Sequence, residues 1–190
     1  LELKHHAINL SIDPTEPQSN TYQLAALPYE LDGSPFEGEI EIEWTTADTN
    51  RVKVDETGKL TAKGTTSPTS PIRIIARAIG GPGPVMNADT AFVAVTSTAR
   101  TPASLSIQPY RTTFGIGWDT SMVATVLDEA GEPIPGLRIA YQSSLPKVAN
   151  YSAAGLFQPM TMGTATIRAS AAVYGQELED EVVMIVDEPE

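Results

Sequence analysis

One chain spells a single pattern twice, and that duplication limits its fold more than any other property. "RVKVDETGKLTAKG" at residues 51–64 is answered by "KVANYSAAGLFQPM" at residues 147–160. Placing Gly58 on Gly155, an offset of 97 residues, also places Val52 on Ala149, Val54 on Tyr151, Leu60 on Phe157 and, without a gap, Trp44 on Tyr141. With small loop adjustments the flanks follow. "LSI" at 10–12 meets "LSI" at 105–107, and "IRIIARA" from Ile72 meets "ATIRASA" from Ala165. Self-similarity at a fixed period means one structural unit built more than once.

The register of the match says what kind of unit. In "EIEIEW" the apolar residues Ile40, Ile42 and Trp44 alternate with Glu39, Glu41 and Glu43. At the same places the second copy sets Leu137, Ile139 and Tyr141 against Gly136, Arg138 and Ala140. The apolar set is kept and the other set is exchanged, as a strand with one face in a core requires. Turn signals separate roughly seven short strands per copy: "DGSP" at 32 and "EAGEPIPG" at 129, then "DETG" at 55 and "SAAG" at 152. The expected fold is all-β: two tandem immunoglobulin-like β-sandwiches, domain 1 at 1–98 and domain 2 at 101–190, joined by "TSTARTPAS" at 96–104. Trp44 and Tyr141 take the large aromatic seat on the third strand.

Composition agrees and removes several functions. Fifteen prolines and fourteen glycines are spread along 190 residues that are 41% hydrophobic, and no long stretch carries a 3.6-residue apolar period, which suits short strands and turns. A net charge of -12 with a pI near 4.5 excludes nucleic acid, whose binding rests on neutralised phosphates, and opposes an anionic membrane surface. No apolar run is long enough to span a bilayer. The absence of cysteine excludes disulfides, thiolate metal sites and cysteine nucleophiles. The start at Leu1, without an initiator Met or a signal peptide, reads as a fragment or processed form of something longer.

"VKVDETGKLTA" and "VANYSAAGLF", each after a strand ending in "WTT" or "YQSS" and the second followed by "GTATIRAS", resemble the group 2 bacterial immunoglobulin-like domains of intimin-like and invasin-like surface proteins. The likeness covers nearly the whole chain as two tandem copies. The Val-Asp-x-x-Gly core stands at Val54, Asp55 and Gly58, whereas the second copy has Tyr151 and Ser152, and the "TTSPTSP" loop makes the first copy four residues longer. The resemblance implies a bacterial extracellular or cell-surface module without chemistry of its own.

Residue by residue, the candidate sites are few. His5 and His6 are the two histidines; at the chain start they read as a cloning remnant or a solvated arm, because a catalytic His must be held rigidly by a carboxylate. Glu39, Glu41 and Glu43 fall about 7 Å apart along one strand face, a spacing some glycosidases use. They read instead as a solvated face pairing with Arg73 or Arg77 across the sheet. No cofactor is expected. Calcium, the lesser option, would use Asp48, Asp128, Glu129 and Glu132 as oxygen ligands at a module junction. Asn150-Tyr151-Ser152 is a formal sequon of little meaning in a bacterial strand. In "YRTTFGIGWDT" at 110–120, alternation sends Phe114 and Ile116 inward, and Trp118 begins the loop before "MVATVLD", which the family resemblance implies lies at the end of the second copy away from the first. Trp118 is the candidate ligand or domain-docking contact.

The expected function is a non-catalytic structural or adhesive module pair, a stalk or adhesion segment of a larger bacterial cell-surface or secreted protein. Its partners are neighbouring immunoglobulin-like domains of the same chain and a host or cell-surface protein or glycan. The alternative is a carbohydrate- or protein-binding accessory module of a secreted enzyme.

Overall fold

The computed structural model describes residues 1–29, 34–36, 38, 40–67, 69–79, 88–109, 111–151 and 156–188. Among these the chain is all-β, with one 3-10 turn at Pro17–Asn20. It divides into two compact units. Unit 1 holds Leu1–Arg100 with Gly136–Arg138 and Ala171–Gln176; unit 2 holds Thr101–Pro135, Ile139–Ser170 and Glu177–Glu190.

Unit 1 is built from β1 (Glu2–Leu3), β2 (Ala7–Ser11), β3 (Thr21–Gln23), β4 (Ala26–Leu27), β5 (Glu41–Thr46), β6 (Val52–Val54), β7 (Lys59–Ala62), β8 (Ile72–Ile79) and β9 (Ala88–Thr96). One layer runs β5-β8-β9-β2 and the other β3-β7-β6. Val52 and Leu60 from the second layer meet Ile74, Ala76, Ala91 and Val93 from the first in one core, the arrangement of an immunoglobulin-like sandwich. β5 and β8 run antiparallel with Trp44 opposite Ala76, whereas β2 runs parallel to β9 from Ala7↔Phe92 to Ser11↔Thr96.

All five residues of β2 are buried, the polar Asn9 and Ser11 included. The cause is a second neighbour: Ala172 and Val173 pair in parallel with Ile8 and Asn9, so β2 is interior rather than an edge. Asn9 is fully buried and satisfied. Its Nδ2 donates to the carbonyls of Arg138 (2.9 Å) and Ala172 (3.3 Å), and its Oδ1 accepts from Arg138 N–H at 2.6 Å. The Arg138 guanidinium lies 4.6 Å over the Phe92 ring.

Unit 2 is built from β10 (Pro102–Gln108), β11 (Thr113–Gly115), β12 (Thr120–Ser121), β13 (Val123–Asp128), β14 (Ala140–Ser143), β15 (Ala149–Tyr151), β16 (Leu156–Pro159), β17 (Gly163–Val173, its last three residues counted with unit 1) and β18 (Gln176–Asp187). β14 pairs with β17, β17 with β18, and β18 in parallel with β11; β12-β16-β15 form a second sheet, and β10 pairs with β13. Phe157, Ile167, Ala169, Met184 and Val126 are fully enclosed. Phe114 packs on Phe157 with ring centroids 5.0 Å apart.

Strand registers carry the duplication where the motif itself does not. Tyr141 stands opposite Ala169 in β14–β17 as Trp44 stands opposite Ala76 in β5–β8, and both alanines are fully buried. Trp44 to Tyr141 is 97 residues and Ala76 to Ala169 is 93, so the four extra residues of the first copy fall in the intervening loop. The turn at 152–155 with Gly155, the start of "DGSP" at Asp32 and Gly33, Pro68 of the longer loop, and Glu39 lie outside the described residues.

Several expectations need correction. The two "LSI" triplets are not equivalent. Leu10 and Ser11 belong to the strand parallel to β9, while Leu105–Ile107 lie in β10, antiparallel to β13. The true counterpart of β2 is β11, which is likewise parallel to the last strand of its unit. The second-copy strand begins only at Ala140, because Arg138 is held by Asn9, so Leu137 and Ile139 do not continue the inward face as strand residues. Ile116 is 37% exposed rather than inward: β11 ends at Gly115, and Gly117, at φ 79°, turns the chain. Trp44 and Tyr141 are half-buried rather than enclosed.

Candidate functional site

Trp118 is 44% exposed, on the turn between β11 and β12. Its N–H bonds the Gly115 carbonyl at 3.2 Å, and the neighbouring Gly117 N–H bonds Pro159 at 3.0 Å. That second bond gathers Ile116, Trp118 and Met160, all exposed. The Arg111 guanidinium lies 5.4 Å from the Trp118 ring centroid, within cation–π range.

The histidines are not a loose arm. Tyr22 Oη and His5 Nδ1 are 2.9 Å apart, and His6 Nε2 sits 2.8 Å from Asp89 Oδ2, which also accepts the Leu3 N–H at 2.7 Å. Burial alone would raise the Asp89 carboxyl, but the bonds from Leu3, His6 and Thr90 outweigh it and hold Asp89 below the usual aspartate value. A chain start tied into a sheet is ordered whatever its sequence position. His6 therefore ties the segment between β1 and β2 to β9, and His5 ties it to β3.

On β5, Glu41 and Glu43 are exposed. Glu43 stands opposite Arg77, with Oε2 and Nη1 3.7 Å apart, the cross-strand pair the sequence suggests. Asp48 and Asp128 belong to different units, and their oxygens close local turns: Asp48 Oδ1 accepts from Asn50 N–H, and Asp128 Oδ1 from the N–H groups of Ala130 and Glu132. Among the described residues no group of three His, Cys, Asp or Glu side chains comes together as a metal site. Asn150 is exposed, while Ser152 of the sequon lies outside the described residues.

Sequence reasoning missed a cleft in unit 1. About 810 Å³ of open space lies between the rims of the two layers. Its apolar floor is Ile42, Trp44 and Val54, and its rim is Glu41, Asp55 and Glu56, with Lys53 beside them. Trp44 is held by Gly58, whose φ of 84° turns the β6–β7 hairpin and brings its backbone under the ring; a Cβ there would stand 2.7 Å from Trp44 Cζ2. In unit 2 the equivalent seat is filled. Tyr151, at the place of Val54, stacks on Tyr141 with centroids 4.1 Å apart, and Tyr141 Oη accepts the Ala124 N–H at 2.9 Å. Burial pushes both phenols above their usual value, the Tyr151 phenol the further because Tyr141 lies against it. The signal that could have found the cleft was the Val54/Tyr151 mismatch beneath a retained aromatic.

No protein-family model matches the chain, and no curated protein matches it. Among solved structures, domains 4 and 5 of the S-layer protein SbsC are similar at 14% identity over 98% of both chains, with a TM-score of 0.37. A longer SbsC chain, rSbsC(31-844), is similar over 88% of this chain and 23% of its own length, at 14% identity and a TM-score of 0.39. Mouse cadherin-23 EC22-24 is similar at 12% identity over 98% of this chain and 64% of its own, with a TM-score of 0.30. At such scores the likeness assigns neither function nor ancestry, and the class of protein, an all-β chain of immunoglobulin-like sandwiches, stands on the sheets described above. Among the described residues no helix is long and apolar enough to cross a membrane.

Proposed function

We propose that the chain is a non-catalytic, load-bearing module pair of the group 2 bacterial immunoglobulin-like kind, a stalk or adhesion segment of a larger bacterial cell-surface or secreted protein. One observation carries this reading: in each unit an early strand is hydrogen-bonded in parallel to the last strand, β2 to β9 over five residue pairs and β11 to β18 over three. Tension entering such a unit through that early strand and leaving at its last pulls the two strands along their length. All the bonds of the ladder are then loaded together rather than unzipped one by one, so the unit opens only by a cooperative step over a high barrier. Single-molecule pulling from the two chain ends tests this. Abrupt release of length after an elastic rise is expected, with unit 2, clamped by fewer bonds, opening first; gradual lengthening at low force removes the reading.

A second reading, a carbohydrate- or protein-binding accessory module, is favoured by the exposure of Trp118. Loss of glycan or protein binding in Trp118→Ala, against a wild type that binds, would support it, and a wild type that captures nothing on a glycan array would end its carbohydrate form.

A further inference from the structure

The cleft of unit 1 has features of a recognition site that the load-bearing reading does not use. Among the described residues β5 is paired on one side only, to β8, and is the last strand of its sheet. Ala47 N–H bonds the Arg73 carbonyl. In an antiparallel ladder the residues facing the partner alternate, so the register Glu43↔Arg77 and Glu41↔Ile79 turns the odd-numbered backbone groups toward β8. The backbone N–H and C=O groups of Ile42 and Trp44 then face the open side, above the cleft floor. An unpaired edge offers main-chain bonds to an extended peptide.

The chemistry around that edge is selective. Three carboxylates, Glu41, Asp55 and Glu56, stand against one ammonium, Lys53, along the cleft, while Glu43 is taken up by Arg77. Asp55 takes bonds from Thr57 N–H, Thr57 Oγ1 and Lys59 N–H, all on Oδ1. These bonds, led by the Thr57 hydroxyl, hold its carboxyl below the usual value, so it stays ionised at neutral pH, and they leave Oδ2 for a visitor. Trp44, half-buried on the floor, supplies an aromatic surface, and an aromatic beside carboxylates favours a cation over a neutral or anionic guest. The comparison within the chain sharpens this: at the same place unit 2 closes the space with the Tyr141/Tyr151 stack.

We propose that the cleft between β5 and β6 binds an extended peptide segment of a partner protein that adds to the edge of β5 and places a lysine or arginine side chain between Trp44 and the Asp55/Glu56 rim. The probe is a capped heptapeptide alternating valine with lysine and arginine, with a valine/glutamate peptide as control. Titration is followed calorimetrically and by Trp44 fluorescence in a Trp118→Phe background, which leaves Trp44 as the one tryptophan of the chain's two. The basic peptide is expected to bind, more weakly as salt rises, and the acidic one not to bind.

Val54→Tyr, which copies unit 2, is expected to weaken binding about tenfold or more, with its melting temperature checked. Glu41→Gln with Glu56→Gln, both exposed and safe for folding, is expected to weaken it severalfold. Failure of the basic peptide to bind, equal binding of the acidic peptide or of a neutral oligosaccharide, or undiminished binding in both variants overturns the proposal. None of these outcomes bears on the pulling experiment, so a passive spacer and a peptide-binding spacer are told apart.

Discussion

Units 1 and 2 share a frame and differ in what they enclose. Among the described residues, unit 1 buries three polar side chains, Asn9, Ser11 and Ser19, and leaves its third-strand aromatic beside an open cleft. Among the described residues, unit 2 buries only apolar side chains and closes the same place with a stacked tyrosine pair. The frame is kept by a few positions, every one fully enclosed: Val52 and Ala149, and Leu60 and Phe157, where substitution alters volume but not polarity, and Ala76 and Ala169, where the residue is unchanged. The larger Phe157 compensates the smaller Ala149, the exchange of volume that a close-packed core accepts. What differs is the rim, where one Val or Tyr decides between cleft and filled core.

Experiments on this contrast can use the two tryptophans as separate reporters, Trp44 in unit 1 and Trp118 in unit 2. The largest effect is expected from Gly58→Ala. A positive φ and a Cβ 2.7 Å from the Trp44 ring should destabilise unit 1 by about 3 kcal/mol or more. Gly117→Ala in unit 2, also at positive φ but with nothing within 4 Å, should lose only about 1 kcal/mol. Equal losses in urea unfolding would show that the Trp44 contact is not rigid. Asn9→Ala comes next, because it removes the fully buried side chain that bonds the backbone groups of Arg138 and Ala172, and should lower stability by about 3 kcal/mol in the Trp44 signal.

Exchanging the rim residues should give opposite results. Tyr151→Val removes a stacked ring and should destabilise unit 2 by about 2 kcal/mol, whereas Val54→Tyr fills existing space and should change unit 1 by less than about 1 kcal/mol. A large loss from Val54→Tyr would mean that the cleft does not admit a ring.

Acid is expected to act first on unit 1, which holds Asp13, Asp55 and Asp89, all with lowered carboxyls. A depressed folded-state value means that the stabilisation is present above the ordinary aspartate value near 3.8 and is lost as pH falls through the lower folded one. Acid titration should therefore shift the Trp44 transition before the Trp118 transition, less so in Asp89→Asn. Alkali works the other way. Tyr141 and Tyr151 in unit 2 and Tyr174 in unit 1 have raised phenols, so their contribution is intact below about pH 10 and is lost above it. The smallest effect belongs to Glu43→Gln, an exposed pair with Arg77 that should change unit 1 by no more than about 0.5 kcal/mol.

The strand pattern was readable wherever one face of a strand met the core and the other met water. "EIEW", "VKV" and "KLTA" appear as β5, β6 and β7, and the offset of 97 carries the last two onto β15 and β16 residue for residue. That rule fails for "AINLS". β2 has a neighbour on each side from far along the chain, so Asn9 is buried with its polar atoms satisfied by residues more than 120 positions away. The same distance effect hid the anchoring of His6 by Asp89, separated by 83 residues. Trp118 could be picked out as a loop aromatic from its glycine and Asp-Thr neighbours, but Arg111 over its ring could not.

The sequence alone determined that this is an all-β chain built twice on one plan, because alternation with a period of two and a repeated spacing are local properties. The tertiary structure decided which strands lie interior or at an edge, that β2 corresponds to β11 rather than to β10, and that Trp44 faces a cleft where Tyr141 faces a partner ring. These depend on which distant segments meet, and on whether a side chain such as Tyr151 is there to fill the space they enclose. No local pattern encodes that.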